Sequence, residues 1–119
     1  AQAGALRYRG IIAPRVILIA VPNVEAKQAE VFGEYWIGYD IPRHLWHFSR
    51  ETLRRTAEKA GLRVKWMRTV ELRGFAEKSL ENMPPERRAE AASKRWSARD
   101  VEREGRGTEI VAVLEREGG

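Results

Sequence analysis

Two uninterrupted runs of apolar residues stand out in the pattern of the chain. Residues 15–21 read RVILIAV, and residues 108–114 read TEIVAVL. Strands that are apolar on both faces are typical of the middle of an α/β sheet, where helices cover both sides. Residues 62–72 instead alternate apolar and polar side chains, with Arg68 as an exception. This period of two predicts a half-buried strand at the edge of the same sheet.

The best-marked helix of the chain covers residues 50–60. Ser49 is a good N-cap, because its hydroxyl can accept a hydrogen bond from a backbone amide of the first turn. Phe48 and Leu53 flank this cap as a hydrophobic staple, and Gly61 lies where a left-handed C-cap is needed. These local signals predict a helix that begins at Arg50 and ends at Ala60.

Two further helices are predicted with weaker patterns. Asn23 can cap a helix over residues 24–32, and residues 86–104 carry a narrow apolar stripe that predicts an exposed helix. The chain then has three strands, and two of them are patterned for the middle of a sheet. A strand in the middle of a sheet has a neighbouring strand on each side, and a sheet of three strands has only one such position. We therefore expect a further strand at one edge, from a lost N-terminal half or from a second chain.

Composition narrows the class of protein. The chain has 119 residues, about one domain, and no cysteine, which excludes disulfides and thiolate metal sites. Its longest apolar run is too short to span a membrane and no signal peptide is visible, so we expect a soluble cytoplasmic protein. The net charge of +5 comes from 22 basic and 17 acidic residues that are interspersed. A nucleic-acid-binding protein is therefore the least favoured class, because such binding needs a clustered basic face.

The connection between residues 34 and 48 is too apolar for an ordinary solvated loop. Its aromatic side chains either line a ligand pocket or pack together as the core of the loop. The four aromatic residues in question are Trp36, Tyr39, Trp46 and Phe48.

The same connection contains Arg43, His44 and His47, and the last two are the only histidines of the chain. A histidine beyond the end of a strand can act as a general base, because the pKa of an imidazole lies near neutral pH. The alternative is that these three side chains bind loop carbonyls and fix the segment. The two histidines are three residues apart with no third ligand nearby, so no metal site is predicted.

The residues RVILIAVPN, IPRHLWHFSRETLRRTAEKAGLRV and TEIVAVLER together resemble the C-terminal half of class I S-adenosylmethionine-dependent methyltransferases of the small-molecule type. The resemblance implies a partial Rossmann-like α/β fold. Arg15–Val21 would be the fifth strand of the family's sheet, Leu62–Val70 the sixth, and Thr108–Leu114 the seventh. The last strand would lie antiparallel between the other two, which makes a three-stranded mixed sheet flanked by helices. Residues 74–106 match nothing in the family and are expected to be a variable, exposed helical insertion in a single domain.

The resemblance also implies a function. Trp36, Tyr39, Arg43, Trp46 and Phe48 would bind a small-molecule methyl acceptor, and a catalytic base would be His44 or His47. The glycine-rich turn that approaches the cofactor in this family is missing, since Gly105 and Gly107 precede a strand rather than follow one.

We therefore expect a fragment or truncated member of a methyltransferase that is inactive alone and does not bind S-adenosylmethionine tightly. The alternative is a non-catalytic α/β module that forms a homo-oligomer through an exposed strand edge. A small basic nucleic-acid-binding protein is a third and weaker alternative, and no membrane association is expected.

Overall fold

A three-stranded sheet organises the computed structural model, which describes residues 15–39 and 48–116. Its strands are β1 (Val16–Pro22), β2 (Leu62–Val70) and β3 (Glu109–Arg116), in the spatial order β1-β3-β2. Both pairings are antiparallel, so β1 and β2 run parallel to each other on either side of β3. The predicted strand order, with the last strand in the middle, is confirmed. The described sheet is antiparallel rather than mixed, because the two parallel strands do not pair directly.

One face of the sheet is covered by α2 (Arg50–Lys59). Leu53 and Ala57 of this helix pack with alternate side chains of the central strand, which are Ile110, Ala112 and Leu114. The helix forms as its sequence predicts. The Ser49 hydroxyl accepts from the amide of Thr52 at 3.1 Å, and the Thr52 hydroxyl accepts from the amide of Ser49 at 2.8 Å. This reciprocal cap satisfies amides that the first helical turn leaves unpaired.

The opposite face of the sheet exposes large apolar side chains. Leu18 is 68% exposed, Val16 is 50% exposed and Trp66 is 44% exposed. The prediction that β1 is buried on both faces is therefore wrong for this chain. Of its aliphatic side chains, Ile17, Ile19 and Val21 pack against the covered face, because successive side chains of a strand point to opposite faces of the sheet.

A second group of helices forms its own hydrophobic cluster. It contains α1 (Lys27–Phe32), α3 (Arg73–Asn82) and α4 (Pro85–Ser93), and the short helix α5 (Ala98–Arg103) follows. The cluster is built from Ala26, Ala29, Phe32, Trp36, Met83 and Ala91. Two helices, α4 and α5, stand where one exposed helix was predicted over residues 86–104, and residues 94–97 between them are not helical. Whether this region is a variable insertion stays a prediction.

The first helix begins later than predicted, because Asn23 does not cap it. The Asn23 side chain is fully buried and its amide donates to the carbonyls of Gly105 (3.1 Å) and Gly107 (2.9 Å). Its Oδ1 accepts from the amide of Glu25 at 3.0 Å. Asn23 therefore joins the end of β1 to the turn that leads into β3. None of the helices in the described ranges is long and apolar enough to cross a bilayer.

Gly107 gives a test of this turn. A Cβ at this position would lie 2.8 Å from the backbone N, C and O atoms of Val70, which cannot move aside as a flexible side chain can. Gly107→Ala should lower the free energy of unfolding by about 1–3 kcal/mol, the range for forced overpacking. Urea denaturation measures this change.

Gly74→Ala is the matched control, because a Cβ there meets nothing within 4 Å and the residue lies inside α3. It should leave stability unchanged or raise it by up to about 1 kcal/mol, since glycine is a poor helix former. Equal losses in the two variants would contradict the close approach of Gly107 to Val70.

Glu109 gives a second test, through pH. Burial raises the pKa of the Glu109 carboxyl above its ordinary value. The folded protein therefore holds a proton that the unfolded chain releases, and stability should fall as pH rises through the raised pKa. Glu109→Gln removes this titration and should raise the melting temperature more at about pH 7 than at about pH 4.

Glu115→Gln makes the same chemical change near the other end of β3, where Glu115 pairs with Arg63 at 2.9 Å. This variant should bring no gain at neutral pH. A gain from Glu115→Gln that equals the gain from Glu109→Gln would show that general charge reduction, and not burial of Glu109, is responsible.

Candidate functional site

Trp36 and Tyr39 meet at the start of the predicted site segment. Their rings lie 5.0 Å apart in an edge-to-face arrangement. Trp36 is only 1% exposed, and its indole N–H donates to the side-chain oxygen of Gln28 at 3.1 Å. Tyr39 is exposed. The burial of Trp36 favours the interpretation that it belongs to a core, and its predicted contact with a substrate stays a prediction.

Phe48 lies apart from this pair, at the end of β1. Its carbonyl accepts from the amide of Val24 at 2.9 Å, and it forms an isolated parallel bridge with Asn23. The Phe48 ring packs against the cluster beneath α2. Trp36 and Phe48 therefore belong to two different hydrophobic clusters and do not share one pocket wall.

The other predicted site residues lie outside the described residues: Arg43, His44, Trp46 and His47. Their roles as base and as substrate contacts stay predictions. Phe48, the first described residue after this segment, lies beside the carboxyl end of β1. In α/β sheets, ligands bind beyond the carboxyl ends of parallel strands.

Beyond the end of β2, the structure builds a polar centre around Glu71. One carboxylate oxygen accepts from the Gln28 amide at 3.1 Å and from the Trp96 indole at 2.7 Å. The other oxygen accepts from the Thr108 hydroxyl at 2.9 Å. The backbone amide of Glu71 donates to the carboxylate of Glu102 at 2.8 Å. Four separate parts of the chain thus converge on this one residue.

Gln28 extends this centre to the helical cluster. Its amide also donates to the carbonyl of Leu72 at 3.0 Å, and its oxygen accepts from Trp36. The Leu72 amide in turn donates to the Thr108 hydroxyl at 2.9 Å. Gln28 and Thr108 are both fully buried, so these bonds are shielded from competing water.

A cavity of about 240 Å³ opens beside Glu71, between α1, α3 and α4. Its polar lining includes Glu71 and Gln28, and its apolar lining includes Phe32, Leu80 and Trp96. Four further charged side chains line the cavity: Arg73, Glu77, Lys94 and Arg95. A polar group at the end of an apolar recess is a common arrangement in small-molecule sites. The cavity and Phe48 lie at the same end of the sheet. Phe48 is beside the carboxyl end of β1, the cavity is beside the carboxyl end of β2, and these two strands run parallel.

A second cavity of about 250 Å³ lies across α4 and is less suited to bind a charged ligand. Its Glu30 carboxylate is already paired with Arg106 at 2.6 Å and with Lys27 at 3.7 Å. The hydrogen bond from Arg106 and the charge of Lys27 lower the pKa of Glu30. Its acid is therefore neutralised by partners within the chain.

The structure gives no reason to assign a metal centre. Within residues 15–39 and 48–116, no group of three or more histidine, cysteine, aspartate or glutamate side chains could hold a metal ion.

Sequence reasoning missed Glu71 and its donors. The alternating pattern of residues 62–72 predicts only a polar strand position at Glu71, and the exposed helix predicted over residues 86–104 gives Trp96 no polar partner. The partners of Glu71 are 43 residues away at Gln28 and 37 residues away at Thr108. The alternating pattern gives no signal for this role, because Glu71 fits it as a polar position between Val70 and Leu72.

Comparisons with known proteins give no match: no protein-family model, no curated protein and no solved structure matches this chain.

Trp96 provides a test of the polar centre. Trp96→Phe keeps an aromatic ring but removes the indole N–H from the half-buried carboxylate of Glu71. Hydrogen bonds to charged groups contribute about 1.5–3 kcal/mol, so the free energy of unfolding should fall by about that amount. Urea denaturation followed by circular dichroism measures the loss.

Trp66→Phe is the matched control, because Trp66 lies exposed on the sheet and contacts Arg68 only through its ring, at 5.7 Å from ring centre to guanidinium. A change within about 0.5 kcal/mol is expected there. If both substitutions lower the free energy of unfolding equally, the indole of Trp96 stabilises the protein only through the apolar surface that it buries and not through a hydrogen bond.

Proposed function

We propose that this chain is the acceptor-side part of an S-adenosylmethionine-dependent methyltransferase that acts on a small molecule. The observation that carries the proposal is the arrangement of the sheet. Two parallel strands, β1 and β2, are joined through α2, and the last strand of the chain lies antiparallel between them. This is the order that the sequence resemblance to the family predicts for its last three strands.

The free edge and face of β1 support the same proposal. Leu18 and Val16 are exposed on a strand that has no charged residue, and within the described part of the chain the outer edge of β1 pairs with no strand. Exposed apolar patches and bare strand edges usually mark a surface that another element covers. In the proposed enzyme, the cofactor-binding strands would add to this edge.

The cofactor would be held by residues that this chain does not contain. In the family, a glycine-rich turn at the first strand approaches the cofactor, whereas Gly105 and Gly107 here lie in the turn before the last strand, β3. Their carbonyls accept from Asn23, and Gly107 fits tightly against Val70. S-adenosylmethionine is therefore a cofactor of the proposed whole enzyme.

The contribution of this chain would be the acceptor side. The segment that carries Arg43, His44 and His47 rejoins the described structure at Phe48, next to the carboxyl end of β1. In the proposed enzyme, either histidine would take a proton from a hydroxyl or amine of the acceptor. Arg43, Trp46 and Tyr39 would orient the acceptor, and most of the rate gain would come from this alignment.

A second function, a homodimer formed through β1, is favoured by the same exposed strand. Two copies of a strand without charges can pair edge to edge, and within β1 only the terminal Pro22 lacks the backbone N–H that such pairing uses.

Binding of S-adenosylhomocysteine tests the proposal. Isothermal titration calorimetry on this chain alone should show no tight binding, because the glycine-rich turn is missing. The complete product of the gene that encodes it should bind with a Kd of about 1 μM or lower, equivalent to about −8 kcal/mol.

Tight binding by this chain alone would overturn the claim that its cofactor side lies elsewhere. Failure of the complete gene product to bind would overturn the methyltransferase assignment. Light scattering on the isolated chain separates the second function: a dimer that Leu18→Lys converts to monomer supports pairing through β1, and a monomer at high concentration contradicts it.

A further inference from the structure

The negative charge of Glu71 has no cation beside it in the described structure. Its three hydrogen-bond donors, an amide, an indole and a hydroxyl, are all neutral. The five ion pairs within the described ranges all involve other residues. A carboxylate has about four acceptor positions, so three donors leave room for one more. A partly buried charge of this kind is stabilised by a cationic group that approaches from the cavity.

The rim of the cavity carries the opposite charge. Arg73, Lys94 and Arg95 line it together with a single acid at the rim, Glu77. Arg95 is engaged, because it donates to the carbonyls of Ala92 and Lys94. The side chains of Arg73 and Lys94 make no hydrogen bond or ion pair within the described residues, so both are available to an anionic group of a ligand.

Neither a simple cation nor a simple anion fits this distribution of charge. A cation would be attracted by Glu71 but repelled by the three basic side chains at the rim. An anion would be attracted by the rim but repelled by the carboxylate of Glu71. A small zwitterion satisfies both ends, with its ammonium on Glu71 and its carboxylate on Arg73 and Lys94. The apolar lining from Phe32, Leu80 and Trp96 then suits an apolar side chain that branches from the carbon next to the two charges.

We propose that this cavity binds a free α-amino acid with an apolar side chain. Its volume, about 240 Å³, is below the roughly 300–1,000 Å³ of pockets for drug-sized ligands, which limits the ligand to a single residue or a molecule of similar size. The site is independent of the proposed methyltransferase activity, because it uses only residues of this chain and requires no cofactor.

Calorimetry and ligand-observed NMR with L-leucine as the probe test the site. Leucine should bind saturably to the chain. N-acetyl-L-leucine lacks the ammonium and L-leucine methyl ester lacks the carboxylate, so each should bind about ten-fold more weakly or worse, since a charge-assisted hydrogen bond is lost. Absence of saturable leucine binding, or equal binding of the three compounds, would overturn the proposal.

Variants locate the binding without disturbing the fold. Arg73→Gln and Lys94→Gln remove exposed cations that support nothing else in the described structure, and each should weaken leucine binding by about five-fold or more. Lys65→Gln, an exposed substitution on β2, should leave the affinity unchanged. If leucine binds but Arg73→Gln and Lys94→Gln bind it as well as the unaltered chain, the ligand lies elsewhere and the proposal fails. The result with S-adenosylhomocysteine bears on neither outcome.

Discussion

The structure depends on the need of one half-buried carboxylate for hydrogen-bond donors. Burying an ionised group is costly unless donors replace the water that it loses. Glu71 obtains these donors from α1, from the stretch between α4 and α5, and from the residue before β3, through Gln28, Trp96 and Thr108. Because the donors come from separate elements, satisfying the carboxylate fixes the helical cluster against the end of the sheet. The two hydrophobic clusters supply most of the burial, and this polar centre determines how they meet.

The packing that supplies donors to Glu71 also forms the cavity that we propose as a ligand site. The carboxyl ends of β1 and β2 lie on one side of the sheet, where Asn23 holds the turn at Gly105 and Gly107 and Phe48 closes the 40–47 segment. The cavity beside Glu71 lies at this end as well. Phe48 and the cavity thus lie at the same end of the sheet, and each of the two proposals rests on its own residues and is tested separately.

The far face of the sheet shows what the described residues leave uncovered. Val16, Leu18 and Trp66 expose apolar surface, whereas the opposite face is packed under α2. A strand without charges at a sheet edge is prone to pair with another chain unless something covers it. Additional strands of a larger enzyme and a second copy of the chain would each satisfy this edge, and both fit the proposed functions.

The sequence by itself determined the features that depend on near neighbours. The cap at Ser49 joins residues three apart, and the continuous apolar runs of β1 and β3 are typical of strands, so this helix and these strands could be predicted. The order of the strands was expected only from the family resemblance. Only the tertiary structure decided the roles of Asn23, Gln28 and Glu71. Asn23 looked like a helix cap but bonds to carbonyls 82 and 84 residues away, and Glu71 looked like a solvated strand position but collects donors from 25 to 43 residues away. Polar side chains choose partners by proximity in space, and no local pattern in a sequence records which distant donors the packing of apolar clusters will bring within reach.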